Sequence, residues 1–125
     1  MKKLYLNTPF ISLNEYINTE RASKLGAATL KKSQTYKVAY LAKEQRFELP
    51  ECKHDVTFIW YKPDNRKDHD NIAFAKKFIL DGLVLSGVIK YDNPKYIGNF
   101  QDKFIVDKSR DYVSCVVIFE KSETK

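Results

Sequence analysis

Three carboxylates and two lysines stand out by type and spacing: Asp68 and Asp70, then Asp92, with Lys76 and Lys77 between them. Two aspartates at i and i+2 on an extended backbone project to the same side, so their carboxylates can converge on one hard cation. If the loop carrying Asp92 lies beside them, three like charges gather and need a counter-charge. Mg²⁺ is the natural one, because it takes oxygen ligands, keeps several waters and binds phosphate oxygens. Such a site suits phosphodiester hydrolysis: the ion lowers the pKa of a bound water, polarises the phosphoryl oxygen and orients in-line attack. A lysine facing the site, Lys76 or Lys77, would help neutralise the transition state. Each residue also has a plainer reading. Asp68 or Asp70 serves equally as a helix N-cap, and Asp92 in Asp92-Asn93-Pro94 as a turn former. Lys77 pairs with Asp81 at i, i+4, and His69 reads as an exposed loop histidine.

The elements that must position these groups follow from periodicity. Asp55–Lys62 alternates Val56, Phe58 and Trp60 against Thr57, Ile59 and Tyr61; both sets are apolar or β-prone, which predicts a central strand covered on two sides. Pro63-Asp64-Asn65-Arg66 closes it as a turn. A helix is expected from about Asn71 to Ser86, burying Ile72, Phe74, Ala75, Phe78, Ile79, Leu83 and Leu85, with Gly87 as its C′ residue. About 16 helical residues span roughly 24 Å, so Asp92 meets Asp68 and Asp70 only if the chain turns back after Gly87. Upstream, Lys3–Phe10 reads as a short extended opening, and one helix is expected from about Glu20 to Gln45, with a possible interruption at Gly26 or Ser33. Downstream, a short extended piece near Tyr96–Phe100, a strand at Lys103–Val106 and a last strand at Tyr112–Glu120 are expected, the latter two as hairpin partners. The fold class is therefore α+β: a small mixed sheet packed with two main helices.

The chain has 125 residues, 43% of them hydrophobic and 30% charged, which suits one folded domain with a core and excludes a disordered or collagen-like chain. Lysine and arginine number 22 against 16 acids, a formal charge of +6, which suits a polyanionic partner. Much of that surplus lies on the first helix, at Arg21, Lys24, Lys31, Lys32, Lys37, Lys43 and Arg46. These form either a solvated face or a face that contacts phosphates. No window approaches the roughly 18 apolar residues of a membrane helix, and Met1-Lys2-Lys3 leads into sequence too polar for a secretory signal, so a cytoplasmic protein is expected. Cys52 and Cys115 lack a CxxC neighbour, which predicts two free thiols rather than a zinc cluster.

The ordered series Asp68-His69-Asp70-Asn71, then Ile72-Ala73-Phe74-Ala75-Lys76-Lys77-Phe78-Ile79-Leu80-Asp81-Gly82-Leu83, then Ser86-Gly87-Val88-Ile89-Lys90-Tyr91-Asp92 resembles the core signature of the RusA family of Holliday-junction resolvases. That signature is a DxDN motif opening a helix, a lysine within the helix, an Asp-small-Leu step near its end, and a Gly-Val-hydrophobic segment leading to an acidic turn. The likeness covers about 25 residues. A weaker one joins Pro9–Asn14 to the family's proline-containing first strand and following asparagine. The resemblance implies that Asp68, Asp70 and Asp92 bind the metal and that Lys77 is the helix lysine, with Lys76 the alternative. Family members commonly have two adjacent acids in the loop, where this chain has Tyr91-Asp92. The resemblance further implies a homodimer with two Mg²⁺-dependent sites that nick opposed strands of a four-way DNA junction, without any small-molecule cofactor. Arg66, Lys67, Lys76 and the helix lysines Lys24, Lys31 and Lys32 would then position the DNA. A non-catalytic DNA-binding dimer of the same fold, and an unrelated α+β domain, are the competing expectations.

Overall fold

The computed structural model describes residues 1–123. The elements run β1 (Lys2–Leu6), α1 (Leu13–Ala22), α2 (Lys24–Glu44), β2 (His54–Lys62), α3 (His69–Ala73), α4 (Lys76–Leu85), β3 (Ile97–Val106) and β4 (Ser114–Lys121). This is a mixed α+β fold around a four-stranded sheet of order β1-β4-β2-β3, in which β4 is antiparallel to both neighbours and β2 is parallel to β3. Among the described residues no helix is long and apolar enough to cross a membrane.

Strand β2 sits where its alternation predicts, but only one of its faces is covered. Val56, Phe58 and Trp60 join Leu4, Val117 and Phe119 in the core against Val38, Phe78, Ile79 and Leu83 of the helices. Thr57, Ile59 and Tyr61 point the other way and remain partly exposed. The expected hairpin between residues 103–106 and 112–120 does not form. Residues 97–106 are one continuous strand on the far side of β2, Lys62 pairing with Val106, while β4 inserts between β2 and β1. Such a parallel pair needs a crossover, and α3 and α4 supply it. At the start of this pairing the register slips between His54 and Val56, where the Asp55 carboxylate accepts the Asn99 N–H at 2.8 Å.

Two expected helices are each divided. Ser23 ends α1 in an extended conformation (φ −163°, ψ 117°) and its hydroxyl caps α2 by accepting the Gly26 N–H at 2.9 Å, so the break falls at Ser23 rather than at Gly26 or Ser33. The helix expected over 71–86 breaks at Phe74–Ala75 into α3 and α4, which begins at Lys76. Its end matches expectation. Gly87 takes φ +81°, its N–H reaches Val84 O at 3.1 Å and Val88 N–H reaches Leu83 O at 2.9 Å, the Schellman pattern that favours glycine at C′. Helices α2 and α4 cross closely at Gly82, where a Cβ would lie 2.6 Å from Val38 Cβ and 2.8 Å from Thr35 O. The small residue of the Asp81-Gly82-Leu83 step thus has a packing cause. Both cysteines are free thiols; burial, with a smaller contribution from Asp102, pushes the Cys115 thiol well above its usual value, which leaves it unreactive.

Candidate functional site

Strand β2 delivers the acidic motif to one end of the sheet. Beyond Lys62 the chain makes a tight polar turn, in which Asp64 accepts the Arg66 N–H at 2.9 Å and pairs with the Arg66 side chain at 3.4 Å. Lys67 reaches across to Glu15 of α1 at 2.9 Å. Partial burial pushes the Glu15 carboxyl up, but hydrogen bonds from Lys67 and Ser12 and the Lys67 charge outweigh it and hold the group below its usual value. Ser12 and Glu15 also form the capping box of α1. Asn71 ties the motif to the same helix by accepting the Asn14 N–H at 3.0 Å. The loop is therefore fastened to α1 on both sides of its aspartates.

Asp68 occupies the N-cap position of α3 (φ −67°, ψ 154°), yet its carboxylate makes no capping hydrogen bond. Asp70 lies in the first helical turn and accepts the Asn71 N–H at 3.0 Å. Both are exposed. Because Asp70 is helical, the extended i, i+2 geometry expected for this pair does not apply. The two acids are instead placed within one helical turn of each other. His69 between them is exposed as expected but opens α3 rather than lying in a loop, and its ring stacks on Phe104 of β3 with centroids 3.7 Å apart and planes 6° from parallel.

Asp92 does not join them. Strands β2 and β3 are parallel, with His54 opposite Ile97 and Lys62 opposite Val106. Asp92 precedes β3 and so lies at the start of both strands, whereas Asp68 and Asp70 follow the end of β2. The eight steps of β2 separate those ends by about 26 Å. The flanking hollows agree. Gly87, Lys90 and Tyr96 share one with Pro50, Cys52 and His54, where β2 begins. A separate cleft of about 330 Å³ beyond β2 is lined by Lys62, Asp64, Arg66, Lys67, Ile72 and Tyr112. Accordingly no group of three or more His, Cys, Asp or Glu side chains among the described residues is placed to hold a metal. The expected return of Asp92 to the acidic pair within one chain is thus corrected, and the cause is the parallel crossover.

The basic candidates divide as well. Arg66 and Lys67 flank the aspartates directly. Lys76, the first residue of α4, is engaged by Asp102 of β3 at 2.7 Å, and Asp102 also accepts the Trp60 indole N–H at 2.9 Å. The Lys76 ammonium lies 5.2 Å from the ring centres of both Phe58 and Phe100. Lys77, next to it, is exposed. Lys24 and Lys32 are exposed on α2, Lys32 over the Tyr36 ring at 5.5 Å, and Lys31 is half-buried in a groove with Asp81.

Two residues escape a reading by motif. Lys62, at the end of β2, is only 4% exposed; its ammonium lies over the Phe104 ring at 5.8 Å, and among the described residues it forms no ion pair. A cation held at the mouth of the cleft without a carboxylate partner is suited to an anion from outside. Its signal in the sequence is a lysine in phase with Val56, Phe58 and Trp60. Asp102 shows the same sign, an acid between Phe100 and Phe104 on the helix-facing side of β3. Compared with known protein families and with curated proteins, the chain matches none.

Proposed function

We propose that the protein is a Mg²⁺-dependent endodeoxyribonuclease acting on branched DNA in the cytoplasm, and that the end of the sheet beyond β2 is its phosphodiester-binding site. The observation that carries this reading is Asp68: an exposed acid at an N-cap whose carboxylate caps nothing, within one turn of Asp70 and beside Arg66, Lys67 and Lys62, which forms no ion pair among the described residues. The resemblance of Asp68–Asp92 to the RusA signature supports the choice of reaction and of a four-way junction as substrate. Two carboxylates suit Mg²⁺, which is commonly held by one or two carboxylates with the remaining positions filled by water and phosphate. Bound there, the ion would polarise the phosphoryl group and lower the pKa of water. The chain's own part is to hold the strand. Lys62, Arg66 and Lys67 take backbone charge, Lys77 stands outside the ion pair that engages Lys76, and the lysines of α2 contact DNA farther away. Since contacts of this kind go to phosphates, binding falls steeply with salt.

Asp92 enters this reading only through a second copy. A two-fold axis that reverses strand direction brings the start of one chain's β3 to the end of the other's β2, creating two equivalent sites as paired nicks demand. A DNA-binding dimer without cleavage is the competing reading, favoured by the separation of Asp92 from Asp68 and Asp70 within one chain and by Tyr91 in place of a second acid. Incubation with a synthetic four-way junction and Mg²⁺ separates the two. Paired nicks by the wild type and binding without nicks by Asp70→Asn are expected; a wild type that binds the junction and never cuts it overturns the nuclease.

A further inference from the structure

The two free thiols of the chain differ in company. Cys115 is sealed in the sheet, 1% exposed. Cys52 is half-buried just before β2, where its N–H donates to Pro50 O at 2.8 Å, and its Sγ lies 4.0 Å from Nε2 of His54. His54 is itself only 5% exposed. Its N–H donates to Tyr96 O at 3.0 Å, its ring meets Phe119 edge-on with centroids 6.4 Å apart, and its Nδ1 lies 2.9 Å from Cys52 O. A carbonyl can only accept, so Nδ1 carries the proton, and the lone pair of the neutral ring sits on Nε2, facing the thiol. Among the described residues Nε2 has no other polar partner. A thiol set against an imidazole lone pair is the arrangement that activates a cysteine nucleophile. Both side chains line the hollow where β2 begins, about 530 Å³ in volume and shared with Val84, Val88 and Ile89. Glu51 and Lys90 also line it, both exposed and neither in an ion pair among the described residues.

We propose that Cys52 is a reversible modification site, a nucleophile with His54 as its base, and that the hollow admits a small disulfide of the amino-acid type. His54 Nε2 takes the thiol proton as Cys52 Sγ attacks one sulfur of that disulfide. A new S–S bond joins Cys52 to the attacked half, the old S–S bond breaks, and the other half leaves as a thiolate that recovers the proton from His54. Cys52 is oxidised and the released thiol is the reduced product, so the disulfide is the whole of the oxidant. Glu51 offers a carboxylate to the ligand's ammonium group and Lys90 an ammonium to its carboxylate, which favours zwitterionic halves. In a reducing compartment the mixed disulfide is transient, because a second thiol reverses it. The hollow lies at the opposite end of β2 from Asp68 and Asp70, so the inference stands apart from the proposed nuclease.

The test is the rate at which the full, reduced chain takes up half a molecule of cystine at neutral pH, read by intact mass and located by peptide mapping. Cys52 in the folded wild type is expected to react about tenfold faster than in the same chain unfolded in urea, since an unassisted thiol is only a few per cent thiolate there. Cys115 is expected to stay unmodified while the chain is folded. His54→Asn, which can still donate to the Cys52 carbonyl, should bring the rate down to that of the unfolded chain with wild-type circular dichroism. Should that variant fail to fold, the comparison of folded with unfolded wild type decides. Lys90→Gln should slow the reaction with cystine several-fold and leave that with uncharged hydroxyethyl disulfide unchanged. A folded Cys52 no faster than the unfolded one, a well-folded His54→Asn at the wild-type rate, or uptake at Cys115 instead overturns the nucleophile. A Lys90→Gln that slows both disulfides alike, or neither, overturns the assignment of the ligand.

Discussion

Lys76 and Asp102, 26 residues apart, meet at 2.7 Å over the aromatic edge of the sheet, and the carboxylate that holds the lysine also holds the Trp60 indole at 2.9 Å. Their side chains are only 22% and 25% exposed, so removing the acid leaves a partly buried ammonium and an indole N–H without an acceptor. Asp102→Ala is expected to destabilise the fold by about 1–3 kcal/mol, read as a lower urea midpoint with an unchanged slope. No change in midpoint would mean that water replaces the carboxylate at no cost.

Gly82→Ala offers a sharper packing test. Helix propensity alone would gain up to about 1 kcal/mol, whereas the new methyl would collide with Val38 and the Thr35 carbonyl and overpacking costs about 1–3 kcal/mol. Net destabilisation in chemical denaturation is expected. A more stable variant would show that α2 and α4 can separate freely.

Asp68→Ala should divide stability from function. Because its carboxylate caps nothing, the change in unfolding free energy should stay within about 0.5 kcal/mol. Mg²⁺ binding measured by calorimetry and junction nicking should both be lost. A variant that unfolds easily yet binds the ion normally would assign Asp68 to the helix rather than to the site.

The Glu15–Lys67 contact sets a pH dependence. The Glu15 carboxyl lies below its usual value in the fold, so its contribution is complete above the ordinary carboxylate value and is lost as the pH falls through the lower, folded one. Glu15→Gln should flatten that part of the stability–pH curve on the acid side and leave the neutral side parallel to wild type. Denaturant midpoints across the acid range measure it; identical curves would show that the carboxylate titrates alike folded and unfolded.

Much of this was legible along the chain, for reasons tied to particular residues. Strand β2 announces itself by alternation and α4 by its apolar side and Gly87, so the place of Asp68 and Asp70 between a strand and a helix was readable. The direction of β3 was not. It is an edge strand, exposed along most of its length, and its diluted pattern splits into two apparent pieces, of which the second pairs by proximity with the following strand. A parallel partner for β2 would have sent Asp92 to the far end by the crossover rule. The uncovered sheet face escaped for the opposite reason: Ile59 and Tyr61 are as apolar as a doubly covered strand requires, and composition does not say whether the cover belongs to the same chain.

The sheet order also fixes when the molecule can finish folding. Strands β1 and β2 are neighbours only through β4, so while the ribosome is still synthesising residues 114–121 the amino-terminal strand has no partner in register. The helices and the β2–β3 pair can assemble earlier, but β1 must wait in an open slot for the last strand to slide in. Nascent chains stalled before Ser114 should therefore expose Leu4 and Leu6 to chaperones, and protection of that segment should appear late and all at once.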